Sequence, residues 1–246
     1  MGNRTINPHM SYVFNTARLL RIAEERSTEF SGAKPYPHVV IDEFLDPTQA
    51  KILAKVFPEP NEPSWDHYAA PGLEMKLGCG DETRFPLPIR DAIRDLNSSA
   101  FVSMLEKLSG IEHLLTDPHL LGGGMHLTRK GGLLGIHSDF NWHVRIHAHR
   151  RLNLLVYLTP DWRPEYGGEL ELWNTSGTQL MRSIEPVFNR AVLFATCSDT
   201  YHGHPKPWAA PDGVNRQSIA LYYYTSDRPE HEKRPTHSTL YKGYNA

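Results

Sequence analysis

Two hydrophobic periods divide this chain. Between Ser11 and Phe30 the apolar residues Val13, Phe14, Ala17, Leu20, Ile22 and Ala23 recur close to a helical period, which predicts an amphipathic helix. Tyr36 to Leu45 reads as a strand, and Asp46 followed by Pro47 opens a second helix to Phe57, because proline in the first helical turn gives up no hydrogen bond. Further helices are predicted over 87–97 and 98–109, the second stopped by Gly110. Past residue 117 short strand-forming runs take over, among them 190–195 and 216–225, separated by turns rich in glycine and proline. The pattern therefore predicts a mainly β protein with flanking helices. Residues 58–86 are too long for a plain connector and read as a substrate lid. The charged segment 227–246 reads as an extended or loosely held tail.

Candidate chemistry lies in the β region. The run from Gly131 to Phe140 is a glycine turn followed by a short strand, so His137 and Asp139, two residues apart, project from one face. A second histidine would complete a site with two imidazoles, one carboxylate and open positions, which suits non-haem Fe(II). Ligand type alone also admits zinc. The third ligand is sought just beyond the apolar run 190–195, where His202 and His204 compete and His202, nearer the strand, is preferred. Arg216 opens the next strand, sharing a face with Ser218, Ala220 and Tyr222. A buried guanidinium needs an anionic partner, and its planar fork matches a carboxylate. The cluster His143, His147 and His149 sits in a polar stretch that reads as a solvated loop bordering the site, not as a second metal site. Arg145, Arg150 and Arg151 could help bind an anionic substrate, but a surface role is expected for each.

In this order the segments resemble the Fe(II)- and 2-oxoglutarate-dependent dioxygenases, and look closest to the prolyl 4-hydroxylase-like branch. The likeness runs through 122–132, His137-Ser138-Asp139, 151–162 with its Tyr-Leu-x-x-Asp-Trp ending, 166–173, His202, and the strand from Arg216. It spans roughly 36–226, which becomes the expected catalytic domain, with 1–35 as a helical extension. The resemblance implies a double-stranded β-helix, a distorted jelly roll. It also implies metal ligation by His137, Asp139 and His202, and binding of the distal carboxylate of 2-oxoglutarate by Arg216 and Tyr157, with Ser218 beside them. Related hydroxylases carry a tyrosine on the strand before the first ligand; here the neighbourhood is Met125-His126-Leu127, which makes His126 its candidate substitute. The spacing from His202 to Arg216 is long, and residues 206–213 read as an inserted loop. The implied reaction oxidises a substrate C–H bond with O2 as co-substrate, releasing succinate and CO2, with ascorbate as an accessory reductant. Asp139 fills the position that halogenating relatives leave for halide, so hydroxylation is expected.

Composition narrows the partners. A net charge of −2 and a pI near 6.7 argue against a nucleic-acid binder. No apolar run reaches the length needed to span a bilayer, and the start of the chain has neither a signal-peptide nor a myristoylation pattern, Ile6 standing where Ser or Thr is wanted. Two cysteines, Cys79 and Cys197, without metal spacing suit a reducing, cytoplasmic location. The expected substrate is a small molecule, an amino acid or natural-product intermediate. The alternatives are a peptidyl-prolyl or other protein residue, and a non-catalytic jelly-roll binding protein. The sequence leaves oligomeric state open.

Overall fold

The computed structural model describes residues 12–62 and 64–242, so the start of the expected extension and the last four residues of the tail lie outside the described residues. Four helices come first or interleave with the first strands: α1 (Thr16–Gly32), α2 (Pro47–Lys55), α3 (Leu87–Leu96) and α4 (Ser99–Ser109). Their ends follow local chemistry. Asn15 and Asp46 accept hydrogen bonds from the free N–H groups at the starts of α1 and α2, and Gly110 closes α4 at φ 70°.

The strands are β1 (His38–Ile41), β2 (Asp66–Ala70), β3 (Glu74–Cys79), β4 (Leu115–Thr116), β5 (Gly124–Thr128), β6 (Leu134–Ser138) and β7 (Trp142–His143). They continue with β8 (Ala148–Tyr157), β9 (Leu170–Trp173), β10 (Leu180–Ile184), β11 (Ala191–Ala195), β12 (His202–His204), β13 (Arg216–Thr225) and β14 (Leu240–Tyr241). All pairings are antiparallel, in the order β1-β11-β8-β13-β5-β3-β6-β12-β9-β10. Between β3 and β6 the ladder narrows to the single pair Glu74↔Leu134. The sheet there folds into a major half, β1 to β3 in that order, and a minor half, β6 to β10. This is the expected double-stranded β-helix.

The major half buries apolar residues on both faces, which explains its long hydrophobic runs. On β8, Leu152, Leu154 and Val156 join Ile219, Leu221 and Tyr223 of β13 under Leu19, Phe101 and Leu105 of the helices. Their neighbours turn the other way, so that Tyr157 of β8 and Val192 and Phe194 of β11 pack against Leu170 and Leu172 of the minor half. No helix among the described residues is long and apolar enough to cross a membrane.

Within residues 58–86, β2 and β3 form a hairpin, and Leu77, Gly78 and Cys79 of β3 pair with β5, which ties the expected lid to the sheet. The described part of the tail, 227–242, is held. The Asn141 side chain donates to Pro235 O (2.8 Å) and accepts from His237 N (3.0 Å), and β14 pairs with β6, Tyr241 opposite His137. It forms a strap across the open side of the minor half.

Candidate active site

His137 lies on β6 and His202 directly opposite it on β12. Asp139 follows the end of β6, and ligand atoms of all three side chains lie within 4.8 Å of one another. Each histidine has its tautomer set from behind. Nδ1 of His137 donates to Gly135 O (2.8 Å) and Nδ1 of His202 to Thr200 O (3.1 Å), since a carbonyl can only accept. Both Nε2 atoms face the Asp139 carboxylate, at 3.5 and 3.3 Å. Burial pushes the His202 pKa down to about 4, keeping it neutral. For Asp139 burial works the other way, but Arg150 foremost and the two histidines outweigh it and hold the carboxyl well below its ordinary range. Two imidazoles and an ionised carboxylate converging on one point fit a divalent cation. His204 is buried and lines the same chamber, but pairs with Leu134 and stands outside the trio.

The Asp139 carboxylate is held from outside the trio by residues assigned elsewhere. Arg150, expected on the surface, is 1% exposed, and its Nη2 lies 3.0 Å from Asp139 Oδ2. Its Nε donates to Asn153 Oδ1 (2.9 Å), and Asn153 Nδ2 donates to Asp139 Oδ2 (2.8 Å). The guanidinium sits between the Tyr222 and Phe140 rings, 3.4 and 4.6 Å from their centroids. A one-residue bulge places it there. From Ser218↔Tyr157 to Tyr223↔Leu152 the β13–β8 register is continuous; the next pair is Tyr224↔Arg150, so Arg151 has no partner. Period-two counting from Tyr157, Leu155 and Asn153 would turn Arg150 outward, and the bulge turns it in. The sequence carried no signal for it.

The residues expected to bind the co-substrate lie in two adjacent rows. Ser218 pairs with His126 on one side and Tyr157 on the other, and Arg216 pairs with Thr128 in the next row. Arg216, Ser218 and His126 line the chamber, while Tyr157 lies behind Arg216, whose Cζ stands 5.0 Å from its ring centroid. Arg216 is 5% exposed, and its hydrogen bond, Nε to Gly168 O (2.9 Å), leaves the Nη pair without a protein carboxylate among the described residues. The Tyr157 hydroxyl is buried without a hydrogen-bond partner. An unpaired guanidinium beside an orphaned phenol fits a carboxylate ligand. His126 turns its Nε2 toward Gly122 O (3.1 Å). Gly168 is required here: at φ 75° a Cβ would stand 2.6 Å from Trp208 and 3.0 Å from Arg216 Cδ. Trp208 is 1% exposed and donates to Val214 O (2.8 Å), so the inserted loop 206–213 braces Arg216.

Both ends open into one chamber of about 740 Å³. Its outer wall comes from the β2–β3 hairpin and the strap. Tyr68, Glu74 and Lys76 of the β2–β3 hairpin face it, and residues 236–239 and Tyr241 of the strap roof it. Tyr241 donates to Glu74 Oε2 (3.2 Å) and lays its ring 5.3 Å from that of His137. The 143–149 cluster does not converge. His143 is fully buried with Nε2 3.1 Å from Asp117 Oδ1, whereas His149 packs against Trp142.

Comparison with known proteins agrees with this geometry. None of the curated sequences matches the chain. Among solved structures, a prolyl hydroxylase from Trichoplax adhaerens in complex with a hypoxia inducible factor peptide fragment superposes with a TM-score of 0.61 at 18% identity, covering 91% of this chain and 96% of that one. A prolyl-4-hydroxylase from Pseudomonas putida gives 0.56 at 16% identity, over 83% and 99%. HygX from Streptomyces hygroscopicus, with nickel, 2-oxoglutarate and hygromycin B bound, gives 0.50 at 12%, over 88% and 96%. At these identities the likeness is one of fold. The family described as the 2OG-Fe(II) oxygenase superfamily matches residues 123–224. That stretch contains the trio and Arg216, and it is a 2OG-Fe(II) oxygenase superfamily domain.

Proposed function

We propose that this chain is an Fe(II)- and 2-oxoglutarate-dependent dioxygenase that hydroxylates a C–H bond of a small molecule, an amino acid or natural-product intermediate. One observation carries the reading. The His137–Asp139–His202 trio and the unpaired Arg216 face the same chamber, and the strap roofs that chamber at a volume suited to a small ligand. His137, Asp139 and His202 would hold iron. Arg216, with Tyr157 behind it and Ser218 and His126 beside it, would hold the distal carboxylate of 2-oxoglutarate. Bound iron supplies the coupling of 2-oxoglutarate oxidation by O2 to oxidation of the substrate, with succinate and CO2 as co-products and ascorbate as an accessory reductant. The chain's own part is to orient: Arg150 and Asn153 fix the Asp139 carboxylate, and the strap and hairpin limit the access of water. The free thiols Cys79 and Cys197 support a cytoplasmic setting.

The test is an anaerobic titration of metal-free protein with Fe(II) and 2-oxoglutarate, followed by the weak visible band of the chelate. A band that needs far more 2-oxoglutarate in Arg216→Ala is the expected result. No band from folded, iron-loaded protein would sink the reading and restore the binding-protein alternative. A peptidyl substrate is the second reading, favoured by the exposed strand β2 at the chamber mouth and by the peptide held in the Trichoplax structure. Succinate formation stimulated by proline-containing peptides, with no response to small molecules, would put it first.

A further inference from the structure

A second cavity, of about 440 Å³, lies away from the trio, between the end of α1, the 195–200 turn and the start of the strap. Three arginines, Arg151, Arg228 and Arg234, line it against two carboxylates, Glu232 and Asp199. Two of the arginines are buried, Arg151 at 8% and Arg228 at 6% exposed. Arg151 is the bulge residue of β8, turned to the opposite face from Arg150. The one carboxylate within reach of both buried guanidiniums is Glu232, whose Oε2 lies 3.5 Å from Arg151 Nη2 and 3.2 Å from Arg228 Nε. Other contacts are neutral: Arg151 Nη1 donates to Thr225 Oγ1 (3.2 Å), and Arg228 Nη2 to Thr196 O.

One carboxylate does not neutralise two buried guanidiniums, and a buried charge without a counter-charge is costly. The hydrogen-bond count shows the same deficit. The Nε of Arg151 and the Thr196 hydroxyl are buried without partners. Burial and the neighbouring positive charge both push the two arginines down from their ordinary pKa, Glu232 acting against this. Arg234 is half exposed at the rim, 4.0 Å from Asp199.

We propose that this cavity is a binding site for a small oxyanion of the phosphate class, held by Arg151, Arg228 and Arg234 and separate from the chamber of the trio. Planar guanidinium forks bind such anions through paired hydrogen bonds, and the anion supplies the charge that Glu232 alone does not. The occupant would also tie the strap to the β8 bulge. It would thus act on the segment that roofs the chamber.

Cys197 lines this cavity and gives a local readout, with the buried Cys79 as an internal control for opening of the fold. The rate of Cys197 alkylation by iodoacetamide is followed by peptide mass spectrometry, in inorganic phosphate against chloride at equal ionic strength. Phosphate should slow Cys197 about twofold at its dissociation constant and further above it, while leaving Cys79 unchanged. The protection should persist in Arg216→Ala, weaken in Arg234→Gln, and appear at lower phosphate in Glu232→Gln, where the charge deficit is larger. No protection in either the wild type or Glu232→Gln overturns the proposal. Protection that disappears in Arg216→Ala also overturns it, by placing the anion at the co-substrate end. Because Arg234 is half exposed, its replacement tests the site without opening the core.

Discussion

Arg216 and Arg150 stand toward the two ends of β13 on the same inward face, and both are almost fully buried. Arg150 finds charge compensation within the chain: a carboxylate, with an amide and two aromatic rings beside it. Arg216 has one backbone carbonyl and a phenol that itself lacks a partner. Folding pays for desolvating either charge, but only Arg150 is compensated by the protein. An arginine paired with a protein carboxylate positions it, whereas one without a counter-charge is left for a ligand.

The contrast can be tested at each end. Arg150→Met should have the largest effect, since it leaves the Asp139 carboxylate buried without its main counter-charge. Metal-free protein should lose on the order of 3 kcal/mol of stability, read by denaturant unfolding, and iron should restore much of it. Equal losses with and without iron would show that Arg150 serves packing alone. Arg216→Ala should leave iron binding intact and weaken 2-oxoglutarate by about 100-fold, close to 2.7 kcal/mol, in the anaerobic titration. If iron affinity falls as well, the two ends are not separable.

A third test uses acid. The His202 pKa is lowered from 6.5 to about 4 in the folded chain, so the unfolded chain takes up the proton first. Metal-free protein should therefore lose stability as pH falls from about 6.5 toward 4. The depressed Asp139 adds a further loss below its ordinary 3.8. Thermal midpoints measured across that range should fall less steeply in His202→Gln; parallel curves would remove the imidazole from the account. The smallest effect belongs to the strap. Tyr241→Phe removes the bond to Glu74, worth about 1 kcal/mol, and should shift substrate KM while leaving 2-oxoglutarate binding unchanged. A shift in 2-oxoglutarate binding instead would place Tyr241 at the co-substrate end.

What could be read ahead of the structure was what local periodicity encodes. His137 and Asp139 two apart at a strand end, and Arg216 with Ser218 on one face of β13, follow from the pleat alone. The helices were legible through their caps, Asp46-Pro47 and Gly110 among them. Arg150 was misplaced because one inserted residue in β8 reverses the facing of everything before it, and no composition signal marks that bulge. Residues 66–79 and 236–241 read as lid and tail because short polar segments look like loops when their strand partners are unknown.

By itself, then, the sequence determined the mainly β framework, the order of the strands that hold the trio and the unpaired arginine, because each depends on residues close together in the chain. Tertiary structure alone decided that Arg150 secures Asp139, that Trp208 and Gly168 brace Arg216, and that the strap returns to roof the chamber. These depend on register and on contacts between distant segments. Strand pairing sets them, and the order of residues along a single strand does not contain it.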